Sequence, residues 1–311
     1  MTKQRKTALD RKMDKIKALE ESGRNATKLT NRTLRKILSN KLAILGAVLF
    51  VVICVLCFAA PLFTRYSATA ISLRERLAEP SAAHIFGCDQ MGRDIWARML
   101  YGGRISIVVG LGSAIGAAII GVTLGMFVGY KGGWADRIIL KISDVFLSFP
   151  QMVLIIIIVA LVGQSLENMI IIFILTGWPS MYRMARSQVL SLKEEEFVQA
   201  LRAFGISDVK IAFKHMLPNA VGPIVVNITL STAMFILQEA SLSVLGYGVP
   251  QEIATWGNII NVITNAGVIR YDWLGYWWIW LPCAIMLILF VLAINFIGDG
   301  LRDASDPTQI G

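Results

Sequence analysis

Histidine, cysteine and charge are all scarce in this sequence: its 311 residues include two histidines, four cysteines and 16% charged residues. His84 and His215 lie far apart in the chain. His215 has no cysteine, carboxylate or second histidine at ligand spacing, so neither a metal centre nor an imidazole acid–base site is expected, and no catalytic residue is assigned. The cysteines imply no disulfide. Cys54 and Cys57 form a C-x-x-C within an apolar run, where thiols act as small hydrophobes, while Cys88 and Cys283 have no evident partner. No G-x-x-x-x-G-K-S/T occurs, so the chain lacks the usual backbone nest for nucleotide phosphates and no cofactor of its own is expected.

What the sequence has is apolar length. With 55% hydrophobic residues it carries too much apolar surface for a soluble globule of this size. Crossing about 30 Å of hydrocarbon takes roughly 20 helical residues, because a helix satisfies its own backbone groups where lipid cannot. Six stretches qualify: Leu42 to Phe63, Ile105 to Tyr130, Ile142 to Val162, Met169 to Tyr182, Ala220 to Leu245 and Trp273 to Ile297. Tyr66, Tyr101, Tyr130, Trp134, Trp178, Trp273 and Trp278 stand near span ends, where amphipathic rings favour the headgroup level. The first run is too long for a signal-peptide core and is read as an uncleaved anchor. Its lead-in, Arg11 to Glu21, reads as a polar surface helix.

Cationic loops resist translocation, and this sets the orientation. The N-terminal 41 residues hold 13 of the 30 Lys and Arg. Placing them inside also puts Lys131, Arg137, Lys141, Arg183, Arg186, Lys193, Arg202, Lys210, Lys214 and Arg302 inside. Arg65, Arg74, Arg76, Arg93, Arg98, Arg104 and Arg270 remain outside. Both termini are expected in the cytoplasm, and the net charge of +9 reflects topology rather than nucleic-acid binding. The division is then a basic segment (1–40), a first span (41–63), an extracytoplasmic segment (64–103), a five-helix core (104–297) with its longest inner loop at 190–219, and a cytoplasmic tail (298–311). Glycines and charges between His84 and Asp94 predict a small ordered cap at the outer mouth.

Within the spans, Gly112, Gly116, Gly121, Gly125 and Gly129 form a small-residue strip that lets another backbone approach, in this chain or in a partner. Glu239 and Asp144 are carboxylates within or beside spans. Each is a candidate for the substrate pathway, or else a helix-end group paired locally. Pro150 and Pro179 each remove a helix hydrogen bond and predict kinks.

The inner loop carries the most pattern. Phe197, Ala200, Leu201 and Phe204 fall on one face of a short helix that Gly205 stops. Ser207 then stands where it can cap a second helix, with Asp208 in its first turn and Val209, Ala212, Phe213 and Met216 as its apolar stripe; Pro218 leads toward the next span. Two short amphipathic helices hinged at a glycine suit either a groove on a soluble partner or the bundle's own inner end.

Spacing discriminates between these. Gln199-Ala200-Leu201, then Gly205, then His215-Met216-Leu217-Pro218 resembles the "EAA" coupling motif of bacterial ATP-binding-cassette import permeases. Gln199 replaces the glutamate, Leu201 the second alanine and His215 an isoleucine. The His-x-Leu-Pro-Asn ending, completed by Asn219, resembles the peptide and nickel branch. So do Phe86 to Asp94, Tyr101 to Ser106, Glu239 to Gly248 and Gly298 to Asp303, which are similar to C-type permeases of dipeptide and oligopeptide importers, with Cys88 where threonine is usual.

The resemblance implies an all-α, six-span type I importer fold with an accessory first helix, lodged in the bacterial cytoplasmic membrane. It further implies a heterodimer with a second permease, two ATPase subunits that bind ATP and Mg and grip the coupling loops, and an extracytoplasmic binding protein that delivers peptide. Gln199, Ala200, Leu201, Phe204, Gly205, His215, Leu217 and Pro218 are the coupling residues it assigns. Nickel or glutathione-like cargo is the alternative. A secondary transporter is the rival class, against which stands the lack of an internal repeat.

Overall fold

The computed structural model describes residues 38–265 and 271–305. The basic N-terminal segment with the expected Arg11 to Glu21 helix, Arg270, and the end of the tail lie outside the described residues. Every regular element among the described residues is helical, apart from one isolated bridge between Cys88 and Asp94.

Helix α1 (Lys41–Phe58) starts where the Asn40 side chain accepts the Leu42 and Ala43 amides. It lies on the outside of the bundle, against the final helix α9 (Trp277–Ser305). Contact is close there, since a methyl on Gly46 would sit 2.7 Å from the Ala293 carbonyl. This is the accessory position expected of the first span. Helix α2 (Ile95–Lys131) begins at Asp94, whose carboxylate accepts the Ala97 amide at 2.6 Å. It therefore starts inside the stretch 64–103 that the sequence reading places between the first two spans.

The third predicted span is broken. Helices α3 (Gly133–Ser148) and α4 (Gln151–Val162) meet at 90°. Pro150 has no amide hydrogen to continue the ladder and drives Phe149 into extended backbone, φ −90° and ψ 142°. Pro179, by contrast, lies inside a continuous helix α5 (Leu166–Lys193). Helix α5 is longer than the span Met169 to Tyr182, and its apolar stretch is short, flanked by Glu167, Asn168 and Arg183. Among the described residues four helices are long and apolar enough to cross a membrane, with the bent pair as a fifth. The six expected spans thus resolve into four single helices, one bent pair and the more polar α5.

A further difference lies at α7 (Asp208–Val244), which runs 37 residues without interruption through a π-helical stretch, Ile211–Met216. The second loop helix and the fifth span are one element, and Pro218 sits within it. After α7 the chain folds back through a short helix α8 (Trp256–Ile260), whose indole is fully buried against Phe290, before entering α9.

At the opposite end of the bundle from the loop, residues 64–94 form an ordered cap. Ser72 donates to the Met91 carbonyl, Leu77 to that of Asp89, and Cys88 to that of Ala78. Gly92 adopts φ +70°, and a side chain there would strike the Ser72 carbonyl at 1.8 Å, so only glycine fits. His84 bridges Asp94 (2.8 Å) and Glu75 (3.4 Å), while Arg93 is bound to Asp89 at 2.7 Å.

Candidate functional site

The loop between α5 and α7 contains helix α6 (Glu196–Ala203). It ends as expected at Gly205, with φ +70°; the Gly205 amide bonds the Arg202 carbonyl at 2.9 Å and the Ile206 amide that of Leu201 at 3.2 Å. Nothing crowds Gly205, so the backbone angle alone calls for glycine. Ser207 holds the position before α7 but makes no side-chain cap bond.

The apolar face of α6 is rotated from the predicted stripe. Val198 is wholly buried and Leu201 half-buried, packing with Met126, Tyr130, Val189, Ile211, Ala212 and Met216. Phe197, Ala200 and Phe204 point into solvent, Phe204 at 82% exposure. Four apolar positions at helical spacing do not distinguish the side that meets the bundle from the side left free. Val198, one residue out of register, decides it. The helix is thus seated by one edge and shows an apolar, unpartnered edge on the other.

Polar bonds lock the seat. Tyr130, at the end of α2, accepts from Arg202 Nε on its hydroxyl and from Lys193 Nζ on its carbonyl, both at 3.0 Å. Both cations also lie over its ring, Arg202 at 5.2 Å and Lys193 at 5.5 Å from the centroid. Gln199, in place of the motif glutamate, turns back to donate to the Glu194 carbonyl at 3.1 Å. His215 is half-buried in the π-helical stretch, and its carbonyl accepts from Asn219 Nδ2 at 2.7 Å. Leu217 is half-buried and Pro218 exposed. A cleft of about 200 Å³ separates α2 from the start of α7, between Phe127, Tyr130, Lys131 and residues 207–209 and 212.

Behind the loop, the glycine strip of α2 faces α5 of this same chain. Methyl groups on Gly121 and Gly125 would lie 2.6 Å and 2.9 Å from the carbonyls of Trp178 and Tyr182. Gly116 abuts Ile174 and Gly129 abuts Arg186, whereas Gly112 has nothing within 4 Å and takes no part in the packing. Asp136, which sequence reasoning missed, pins α3 to α5. It accepts from Arg186 Nε (2.7 Å) and Nη2 (2.6 Å) and from the Tyr182 hydroxyl (2.9 Å). A carboxylate three residues past a glycine pair, near a cationic helix, was the available signal.

The two pathway candidates separate. Asp144 is exposed and paired with Arg183, a local ion pair between α3 and α5. Glu239 is 0% exposed and enclosed among α2, α7 and α8, so it lines no surface of this subunit. Its carboxyl oxygens accept from Ser106 at 3.3 Å and Ser243 at 3.0 Å, so this buried polar group is partnered.

A membrane-embedded helical bundle with a rigidly seated loop that offers an apolar edge is the form of a transport subunit worked upon by other chains. The family described as "Binding-protein-dependent transport system inner membrane component" matches residues 121–310, and the "N-terminal TM domain of oligopeptide transport permease C" matches residues 28–80. The chain is 40% identical over 273 residues to "Dipeptide transport system permease protein DppC" of Alkalihalophilus pseudofirmus, covering 88% of each. It is 36% identical over 288 residues to "Oligopeptide transport system permease protein OppC" of Bacillus subtilis, covering 93% of this chain and 92% of that one. The fold is like that of the inward-facing MetNI methionine ABC transporter, with TM-score 0.53 and 20% identity over 66% of this chain and 95% of that chain. The chain belongs to the binding-protein-dependent import permeases, in their oligopeptide C-type branch. Membership makes it a multi-pass membrane protein with ATPase and substrate-binding partners outside the chain.

Proposed function

We propose that this chain is one half of the membrane unit of an importer that carries dipeptides or oligopeptides across the bacterial cytoplasmic membrane by alternating access. The observation that carries the reading is α6, held on one edge by Val198, Leu201 and the Tyr130 contacts while Phe197, Ala200 and Phe204 are presented outward. An apolar edge on a stiffly seated helix fits a groove on a soluble partner. Two cytoplasmic ATPase subunits, which hold the ATP and Mg, would grip this edge and its counterpart on a second, homologous permease. A binding protein would deliver peptide from outside, and both termini of this chain would lie in the cytoplasm.

The continuous α7 supports the transmission step. Its first turns pack beneath α6 and its far end reaches the other side of the bundle, so displacement of the loop moves a whole span. Gly205, Leu217 and Pro218 shape the turn and the start of that span.

The test is Ala200→Glu in the complete importer. A buried negative charge at the docking edge is expected to cost at least about 2 kcal/mol of association, or roughly a thirtyfold loss of ATPase recruitment, and to abolish peptide uptake with the subunit still inserted. Normal uptake and normal co-purification of the ATPases would overturn the reading.

A further inference from the structure

We infer that Glu239 is a positioning residue: it fastens the folded-back outer segment, residues 249–265, to the same helix whose inner end forms the coupling loop. The inference rests on the import reading above. It adds a specific joint at the far end of the lever.

The joint is made of hydroxyls around one carboxylate. Ser106 of α2 donates to Glu239 Oε2 at 3.3 Å and accepts the Trp256 amide at 3.1 Å, so one oxygen ties α2, α7 and α8 together. Ser243, one turn on, donates to Oε1 at 3.0 Å. The Thr255 hydroxyl caps α8 by accepting the Asn258 amide at 3.0 Å. The Trp256 indole donates to the Met99 carbonyl at 3.1 Å, and the Asn258 side chain gathers the carbonyls of Val249, Pro250 and Ile253. Backbone contact completes it: a methyl on Gly257 would lie 2.7 Å from the Ala240 Cα.

The segment 249–265 therefore cannot move independently of the outer turns of α7 without breaking bonds to a buried carboxylate. Helix α7 itself spans roughly 55 Å at 1.5 Å per residue. A carboxylate suits this junction because it accepts several hydroxyls at once, and removing it strands those donors in an apolar interior. Loop displacement at Asp208 would thus reach the outer segment through Glu239 rather than dissipate in the bundle.

The experiment uses the complete importer in proteoliposomes, with Glu239→Gln, Glu239→Leu and Ser106→Ala. Hydrogen exchange across residues 255–260 is read without substrate, and ATP hydrolysis and peptide uptake are read with the binding protein. For Ser106→Ala and Glu239→Leu the expected result is about tenfold faster exchange at 255–260 and about tenfold less peptide imported per ATP, with basal hydrolysis within twofold of wild type. Glu239→Gln, which keeps the shape and most of the bonds, is expected within twofold on every measure. Should Glu239→Leu fail to fold, Ser106→Ala decides. Unchanged exchange, or uptake and hydrolysis falling in proportion, overturns the joint. Absence of peptide uptake by the wild type, with the exchange pattern as expected, would instead overturn the substrate reading.

Discussion

Arg202 Nε donates to the Tyr130 hydroxyl across 3.0 Å, which joins the short loop helix to the end of a membrane helix 72 positions earlier in the chain. Lys193 holds the same tyrosine by its carbonyl, so the loop is fastened from both sides. Tyr130→Phe removes one charge-assisted bond while keeping the ring for cation–π contact. A loss of roughly threefold to tenfold in uptake per ATP is expected, with ATPase binding unchanged, because a half-exposed bond of this kind contributes about 1 kcal/mol. Arg202→Ala should lose more, since it removes the cation as well. Uptake at the wild-type ratio in both variants would dismiss the clamp.

Gly121 and Gly112 make a matched pair. Gly121→Val drives a branched side chain into the Trp178 carbonyl and the Met181 side chain, and should destabilise the protein by about 1–3 kcal/mol. Gly112→Val meets open space within this chain. Thermal denaturation of the purified subunit in mild detergent should therefore separate the two, with only the Gly121 variant lowered.

Gly205 tests backbone rather than packing. With φ +70° and no neighbour within 4 Å, Gly205→Ala costs roughly 1 kcal/mol through its backbone angle, whereas Gly205→Asn, which tolerates that region better, should cost less. Proteolysis rates at the loop in native membranes read the difference; equal rates would mean that the turn is not strained.

The cap should respond to pH through His84 and Glu75. Burial opposes charge on His84, but the Asp94 and Glu75 carboxylates outweigh it and raise its pKa above the ordinary 6.5. A raised folded value means that its stabilisation is complete below about pH 6.5 and fades as pH climbs through the folded value. Glu75 is held below its ordinary value by the Ser72 hydroxyl and then by His84, so its contribution is present above pH 4.5 and is lost as pH falls through its folded value. Trypsin cleavage at Arg65, Arg74 and Arg76 should therefore speed up, relative to a denatured control, as pH rises above about 6.5. His84→Gln should flatten that change.

The apolar stretches, the accessory first helix, the glycine stop and the family motif were all legible in the sequence. Each depends on local periodicity, on one residue's backbone preference or on the order of short patterns. Tertiary structure decided the rest. Whether Phe197 or Val198 faces inward depends on where α2 and α7 stand. Glu239 reads as either a pathway carboxylate or a locally paired one until Ser106, 133 positions away, is seen to donate to it. Asp136 likewise gains its meaning only from Arg186 on another helix. The sequence alone determined that this is an import permease of the peptide branch, because apolar length and motif spacing are properties of the chain itself. Which faces stay open and which charges lock helices together were decided only in three dimensions, because burial and hydrogen-bond partners arise between segments far apart in the chain.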